Sequence, residues 1–171
     1  MESSALAEIN SLESGQFIAR LGGIYEDSPW VPAAVAGQRP FASPRHLIDA
    51  MRAAVEGAAP EDQLRLIRAH PDLAGRLAMA GGLSDCSREE QSGVGLDRLG
   101  AAEFAEFQEL NTRYRAKHGF PFIICVRLTD KAGILEAFRR RIASGTEEEI
   151  QTALREIHHI ARLRLHDLFG M

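Results

Sequence analysis

At 171 residues, 45% of them hydrophobic and 26% charged, the chain has the composition of an ordinary soluble globule and is far from the signature of disorder. That length suffices for one self-sufficient domain over residues 1-171, with no need of disulfides or structural metal. A formal net charge of -4 excludes a general nucleic-acid binder, which needs a basic excess to displace counterions from phosphates.

The pattern reads as helix after helix, with breaks at Gly, Pro and Ser and no strand alternation, so the fold class is all-α, with about eight to ten helices. Ser14 is placed to cap a short helix carrying Phe17, Ile18 and Leu21. Pro29 opens another that ends at Gly37, and Ser43-Pro44 starts a stronger one with Leu47, Met51, Ala54 and Val55 on one face. The helix from Pro60 should end at His70, because Pro71 disfavours the helical conformation in the residue before it. Ser87-Arg88-Glu89-Glu90 is a capping-box pattern, and Ala101 to Lys117 spaces Phe104, Phe107, Leu110 and Tyr114 as a helix does. Phe120-Pro121-Phe122-Ile123-Ile124-Cys125-Val126 is apolar, β-branched and interrupted by proline; it is expected to run extended through the interior as the one buried non-helical stretch. Asp130 and Thr146 should cap the last two helices, the second with a box to Glu149.

Of the 20 basic residues only Lys117 and Lys131 are lysines, so a single arginine carries little information unless its position is unusual. Arg164 is unusual. It falls where the apolar rhythm Ile150, Leu154, Ile157, Ala161, Leu168 lacks a member, and a guanidinium on a buried face must find an anion or several carbonyls. A core ion pair and a contact to an anionic substrate fit equally well, while Arg162 points off that face. His70, at a helix C-terminus, is either a surface cap or a proton donor favoured by the helix dipole. Ser87, Glu90 and Gln91 share one helix start, which is either a self-contained box or an anion site, and the Gln91 amide can both donate and accept.

Cys86 and Cys125 form no C-x-x-C pair, and nothing flanking Cys86 supports its pairing with His70 as nucleophile and base. The remaining histidines, His46, His118, His158, His159 and His166, show no metal-binding spacing, so no metal is expected. Met1 to Asn10 lacks the regions of a secretory leader, Phe120 to Val126 is too short to span a bilayer, and Phe169-Gly170-Met171 is not a peroxisomal address; a cytoplasmic protein without membrane partners is the expectation.

Taken in order, His70-Pro71-Asp72-Leu73-Ala74-Gly75, then Ser87-x-x-Glu90-Gln91 leading to Gly95-Leu96-Asp97, then Phe120 to Val126, then Ile160-Ala161-Arg162-Leu163-Arg164-Leu165, resemble the 2-oxo-4-hydroxy-4-carboxy-5-ureidoimidazoline (OHCU) decarboxylase family. Gly22-Gly23-Ile24-Tyr25-Glu26-Asp27-Ser28-Pro29-Trp30 and Arg39-Pro40-Phe41 extend the resemblance over nearly the whole chain. It implies an all-helical homodimer that converts OHCU into (S)-allantoin and CO2, the third step of urate degradation, without metal or organic cofactor. It also implies a catalytic role for His70 with Glu90 as its acidic partner. Substrate contacts would come from Pro71, Ser87, Gln91, the backbone of Phe122, Ile123 and Ile124, and Arg164. Two other readings stay open: a different enzyme acting on a hydantoin-like ring, and a noncatalytic helical interaction module.

Overall fold

A computed structural model describes residues 4–74 and 83–171; Gly75 of the His-Pro motif lies outside them. Among the described residues there are nine α-helices, two short 3-10 turns and no strand, as the all-α reading expects. The helices are α1 (Ser4–Ser11), α2 (Ser14–Leu21), α3 (Trp30–Val35), α4 (Pro44–Glu56), α5 (Pro60–Ala69), α6 (Asp85–Gly93), α7 (Ala101–His118), α8 (Lys131–Ile142) and α9 (Thr146–Phe169). The chain divides into two compact units, Met1–Ala69 with His158–Met171, and His70–Ile157.

In the first unit, α3 packs against both α2 and α4. Helix α4 shows why it forms: Ser43 is extended and accepts the His46 N–H, Pro44 occupies the first turn, and Leu47, Met51 and Val55 are buried at spacings of four. Helix α2 begins one residue earlier than expected. Glu13, not Ser14, is its N-cap, in a reciprocal box with Gln16. Helix α1, which the sequence reading did not foresee, buries only Leu6 and Ile9, and eight residues are too few to form a helix without that tertiary contact.

The loop between α2 and α3 is a second buried non-helical stretch, against the expectation of only one: Ile24, Tyr25, Glu26 and Ser28 are all buried. Its polar groups are met from the last helix. Tyr25 Oη lies 3.0 Å from His158 Nδ1, and Glu26 receives Arg164. Burial, reinforced by the Arg52 charge, pushes the His158 imidazole down to about 4. Between its ordinary value near 6.5 and 4, the unfolded chain therefore binds a proton that the folded chain refuses, so stability is lost as pH falls through that window. Replacing His158 by Gln, which keeps a polar partner for Tyr25, is expected to flatten the pH dependence of the urea midpoint between pH 6.5 and 4; an unchanged acid limb would place the titration elsewhere.

In the second unit, α7 ends at Gly119 in the left-handed conformation (φ 76°) with its N–H on the Arg115 carbonyl, a closure that favours glycine. Beyond it the chain runs without helix or strand through residues 121–125, as expected, with Phe122 and Ile123 buried and Ile124 half-buried. Phe122 stacks on Phe138 of α8 with centroids 3.8 Å apart, and Tyr114 of α7 meets both rings edge-on. Asp130 caps α8 by accepting the Gly133 N–H at 2.8 Å.

Arg141 of α8 donates from Nη1 to the Ile123 carbonyl (2.7 Å), from Nε to Glu149 (2.9 Å), and covers the Phe122 ring at 4.4 Å. Glu149 also accepts Tyr114 Oη at 2.6 Å. The expected box between Thr146 and Glu149 is thus corrected: Thr146 is the first helical residue, and the Glu149 carboxylate is buried on a buried cation rather than turned back to its own helix start. The interior charge wins over the terminal N–H because Glu149 is the anion that pairs the buried Arg141 guanidinium.

Candidate active site

Helix α6 starts two residues before the Ser87 box. Ser84 is the N-cap and its Oγ accepts the Ser87 N–H at 3.2 Å, so the capping role assigned to Ser87 and Glu90 is corrected. The shift matters for chemistry. Glu90 is not a cap partner, and Ser87, Glu90 and Gln91 become an i, i+3, i+4 face: Ser87 and Gln91 are buried, Glu90 is half-buried, and Arg88 and Glu89 are exposed. Two buried polar groups and a half-buried carboxylate on one side of a nine-residue helix need polar partners there.

His70 follows the last residue of α5, where Pro71 stops the helix as expected. It is buried, not a surface cap. In the loop that follows Pro71, Gln91 Oε1 accepts the Ala74 N–H at 3.0 Å, which ties that loop to α6. That bond also settles how the Gln91 amide is turned: Oε1 takes the Ala74 donor, and Nε2 is the amide's own donor.

Helix α6 packs against the 3-10 turn Val126–Leu128 at the end of the extended segment. Burial first, then the nearby carboxylates of Glu156 and Glu90, raise the Cys125 thiol to about 11, so Glu90 lies within electrostatic reach of the residue after Ile124. A thiol held there is not a nucleophile near neutral pH, and Cys86 is exposed in the first turn of α6. Cys125 N–H donates to Glu156 at 2.8 Å and the Ile123 carbonyl is taken by Arg141. Among the described residues, no hydrogen-bond partner is found for the N–H groups of Phe122, Ile123 and Ile124.

Of the residues singled out by sequence, His70, Pro71, Ser87, Glu90, Gln91 and Phe122–Ile124 all fall in the second unit. Arg164 falls in the first, buried as its helical register requires. Its Nη1 donates to the Gly23 carbonyl and to Glu26 Oε2, both at 2.9 Å, which is the core ion pair that the sequence had left as one of two alternatives. Among the described residues no group of three or more His, Cys, Asp and Glu side chains is arranged to hold a metal.

Sequence reasoning missed Gln108 and Asn111 of α7, which donate to the Ala74 and Leu73 carbonyls, each at 2.9 Å. The signal for Asn111 was available: it is polar on the face that buries Phe107, Leu110, Tyr114 and His118.

The OHCU decarboxylase family model matches residues 10–166. The chain belongs to the OHCU decarboxylase family. A 2-oxo-4-hydroxy-4-carboxy-5-ureidoimidazoline decarboxylase of Haloferax volcanii is 41% identical over 99% of this chain and 99% of its own, and one of Mus musculus is 38% identical over 96% and 93%. The crystal structure of (S)-allantoin synthase superposes with a TM-score of 0.76 at 31% identity, over 95% of this chain, which spans 53% of the length of that one. An OHCU decarboxylase crystallised in the presence of (S)-allantoin shares the fold, with a TM-score of 0.72 at 23% identity and 94% of this chain covered.

Proposed function

We propose that this protein decarboxylates OHCU to (S)-allantoin and CO2 as a step of urate degradation, using no metal or organic cofactor. The observation that carries the reading is the inward polar face Ser87–Glu90–Gln91, set free of capping duty by Ser84 and tied to the chain beside His70, in a member of this family. When the carbon–carboxylate bond breaks, its electron pair passes to the ring carbon and is delocalised over the neighbouring carbonyl and ring nitrogens. The carbon that loses CO2 becomes a carbonyl as its hydroxyl gives up its proton, and a proton is added at the neighbouring ureido-bearing carbon, the stereocentre of (S)-allantoin. The substrate is its own electron sink, the part a cofactor plays elsewhere.

In this assignment His70, oriented by Glu90, meets the substrate's hydroxyl and carboxylate and assists the proton transfers. Ser87 and the Gln91 Nε2 donor bind acceptor oxygens, the N–H groups of Phe122 to Ile124 contact the ring, and Pro71 packs beside it. Arg164 is assigned to the developing negative charge. Its bond to Glu26 gives a specific reason to keep a second reading, in which Arg164 and the capped helix are structural parts of a noncatalytic module. A homodimer in the cytoplasm, with the small molecule as its partner and neither nucleic acid nor membrane, completes the proposal. No described helix is long and apolar enough to cross a membrane.

The test is to generate OHCU in situ from urate with a urate oxidase and a 5-hydroxyisourate hydrolase, add the protein, and follow circular dichroism. Optically active (S)-allantoin should form faster than the spontaneous racemic product. A folded sample that leaves the spontaneous course unchanged would remove the decarboxylase reading and favour the module.

A further inference from the structure

We infer that Gln108 and Asn111 of α7 are positioning residues for the reaction: they hold the backbone of Leu73 and Ala74, and through it set where the His70 ring and the Gln91 amide stand. The inference rests on the site assignment proposed above and deepens it.

Three side chains at i, i+3 and i+7 of α7 share one face and reach three successive residues of the loop in reverse order. Gln108 Nε2 donates to the Ala74 carbonyl at 2.9 Å, Asn111 Nδ2 to the Leu73 carbonyl at 2.9 Å, and Arg115 to the Asp72 carboxylate at 3.0 Å. Seven helical residues rise roughly 10 Å and two extended residues span roughly 7 Å, a mismatch that the longer arginine side chain absorbs. The helix is therefore a comb that runs antiparallel to the loop and reads it residue by residue. The contributions differ. The Arg115–Asp72 pair is exposed and adds little rigidity, whereas Asn111 is buried and Gln108 half-buried.

A second, independent observation points to the same place. Ala74 has φ of 50°, in the left-handed region that a side chain with Cβ seldom adopts. Such a conformation persists only where the surroundings over-determine it, and here both of its peptide groups are engaged: the N–H by Gln91, the carbonyl by Gln108. Ala74 is thus the junction between α6, which carries the polar face, and α7, which carries no site residue. Pro71, whose φ is locked by its ring, removes one of the dihedrals through which a shift at Ala74 could be absorbed before it reaches His70. Losing the Gln108 donor should let Ala74 relax, release Gln91 Oε1, and move both the Nε2 donor and the imidazole.

The experiment compares wild type with Gln108→Met, which keeps the bulk and removes the donor, and with Gln108→Lys, whose ammonium restores a donor at a half-buried position. Glu109→Gln, on the exposed side of α7, is the control. Two readouts are taken on the folded proteins: the His70 ring resonances by NMR, and kcat and KM for OHCU. Gln108→Met is expected to shift the His70 resonances and to lower kcat about 10-fold with KM within threefold. Gln108→Lys should recover most of the loss, and Glu109→Gln should change neither readout. If Gln108→Met does not fold, Asn111→Leu replaces it with the same expectation. Unchanged His70 resonances and unchanged kcat in a folded donorless variant would overturn the inference. If the wild type itself does not turn OHCU over, the site assignment fails, while the His70 resonances still decide whether α7 positions the loop.

Discussion

His70→Asn is expected to lower the rate of OHCU decarboxylation by at least ~10²-fold while leaving the fold intact. Asparagine is close to imidazole in reach and still hydrogen-bonds, but it neither titrates near neutrality nor delivers a proton, so the substitution isolates acid–base chemistry from packing. The residue is buried directly after α5, which makes a cavity the main confounder, and urea unfolding of the variant measures it. If His70 assists proton transfer in the rate-limiting step, kcat falls and KM changes little. Near-wild-type turnover would remove His70 from the chemistry and leave it a core histidine. Arg164 does not offer so clean an experiment. Removing it takes from the buried Glu26 carboxylate the cation that pairs it, so any loss of rate mixes catalysis with damage to the first unit.

The largest effect on stability is expected at Glu149. Glu149→Gln should lower the free energy of unfolding by about 3–5 kcal/mol, because it leaves the buried Arg141 guanidinium without its anion. Tyr114→Phe in the wild-type background removes only a neutral donor to the same carboxylate, which keeps Arg141, and should cost less, about 1–2 kcal/mol. The double variant Arg141→Met with Glu149→Leu removes both charges and their desolvation, and should recover at least half of the loss. Denaturant midpoints at fixed slope decide the matter. A Glu149→Gln protein as stable as wild type would mean that Arg141 finds sufficient compensation in the Ile123 carbonyl and the Phe122 ring.

Much of this molecule was legible before its structure. Helices α4, α5, α7 and α8 appear where caps and periodicity put them, because Ser43, Pro60, Gly119 and Asp130 are local stop and start signals that need no tertiary partner. The interruption of the α9 face by Arg164 was a one-dimensional signal of the same kind, and burial of that residue follows from helical geometry alone. A like signal sat unread at Arg141, which continues the buried face of Ile134, Ala137 and Phe138.

What the chain could not disclose is which partner each polar group chooses. Ser84 and Ser87 both suit an N-cap and Thr146 with Glu149 makes a formally correct box, local alternatives that differ by about 1 kcal/mol, while helical register left Arg164 with two acceptable anions. Tertiary structure decided them, since a buried charge without compensation costs several times more than a lost cap: Glu149 goes to Arg141, Glu26 to Arg164, and α6 starts at Ser84 so that Ser87, Glu90 and Gln91 turn inward together. The sequence alone determined the all-α class and most helix boundaries, while the residues proposed for the chemistry came from the family resemblance. Only the folded chain determined their company, because hydrogen-bond partners across 17 to 38 residues, such as Gln91 with Ala74 and Asn111 with Leu73, are set by packing and leave no trace in local spacing.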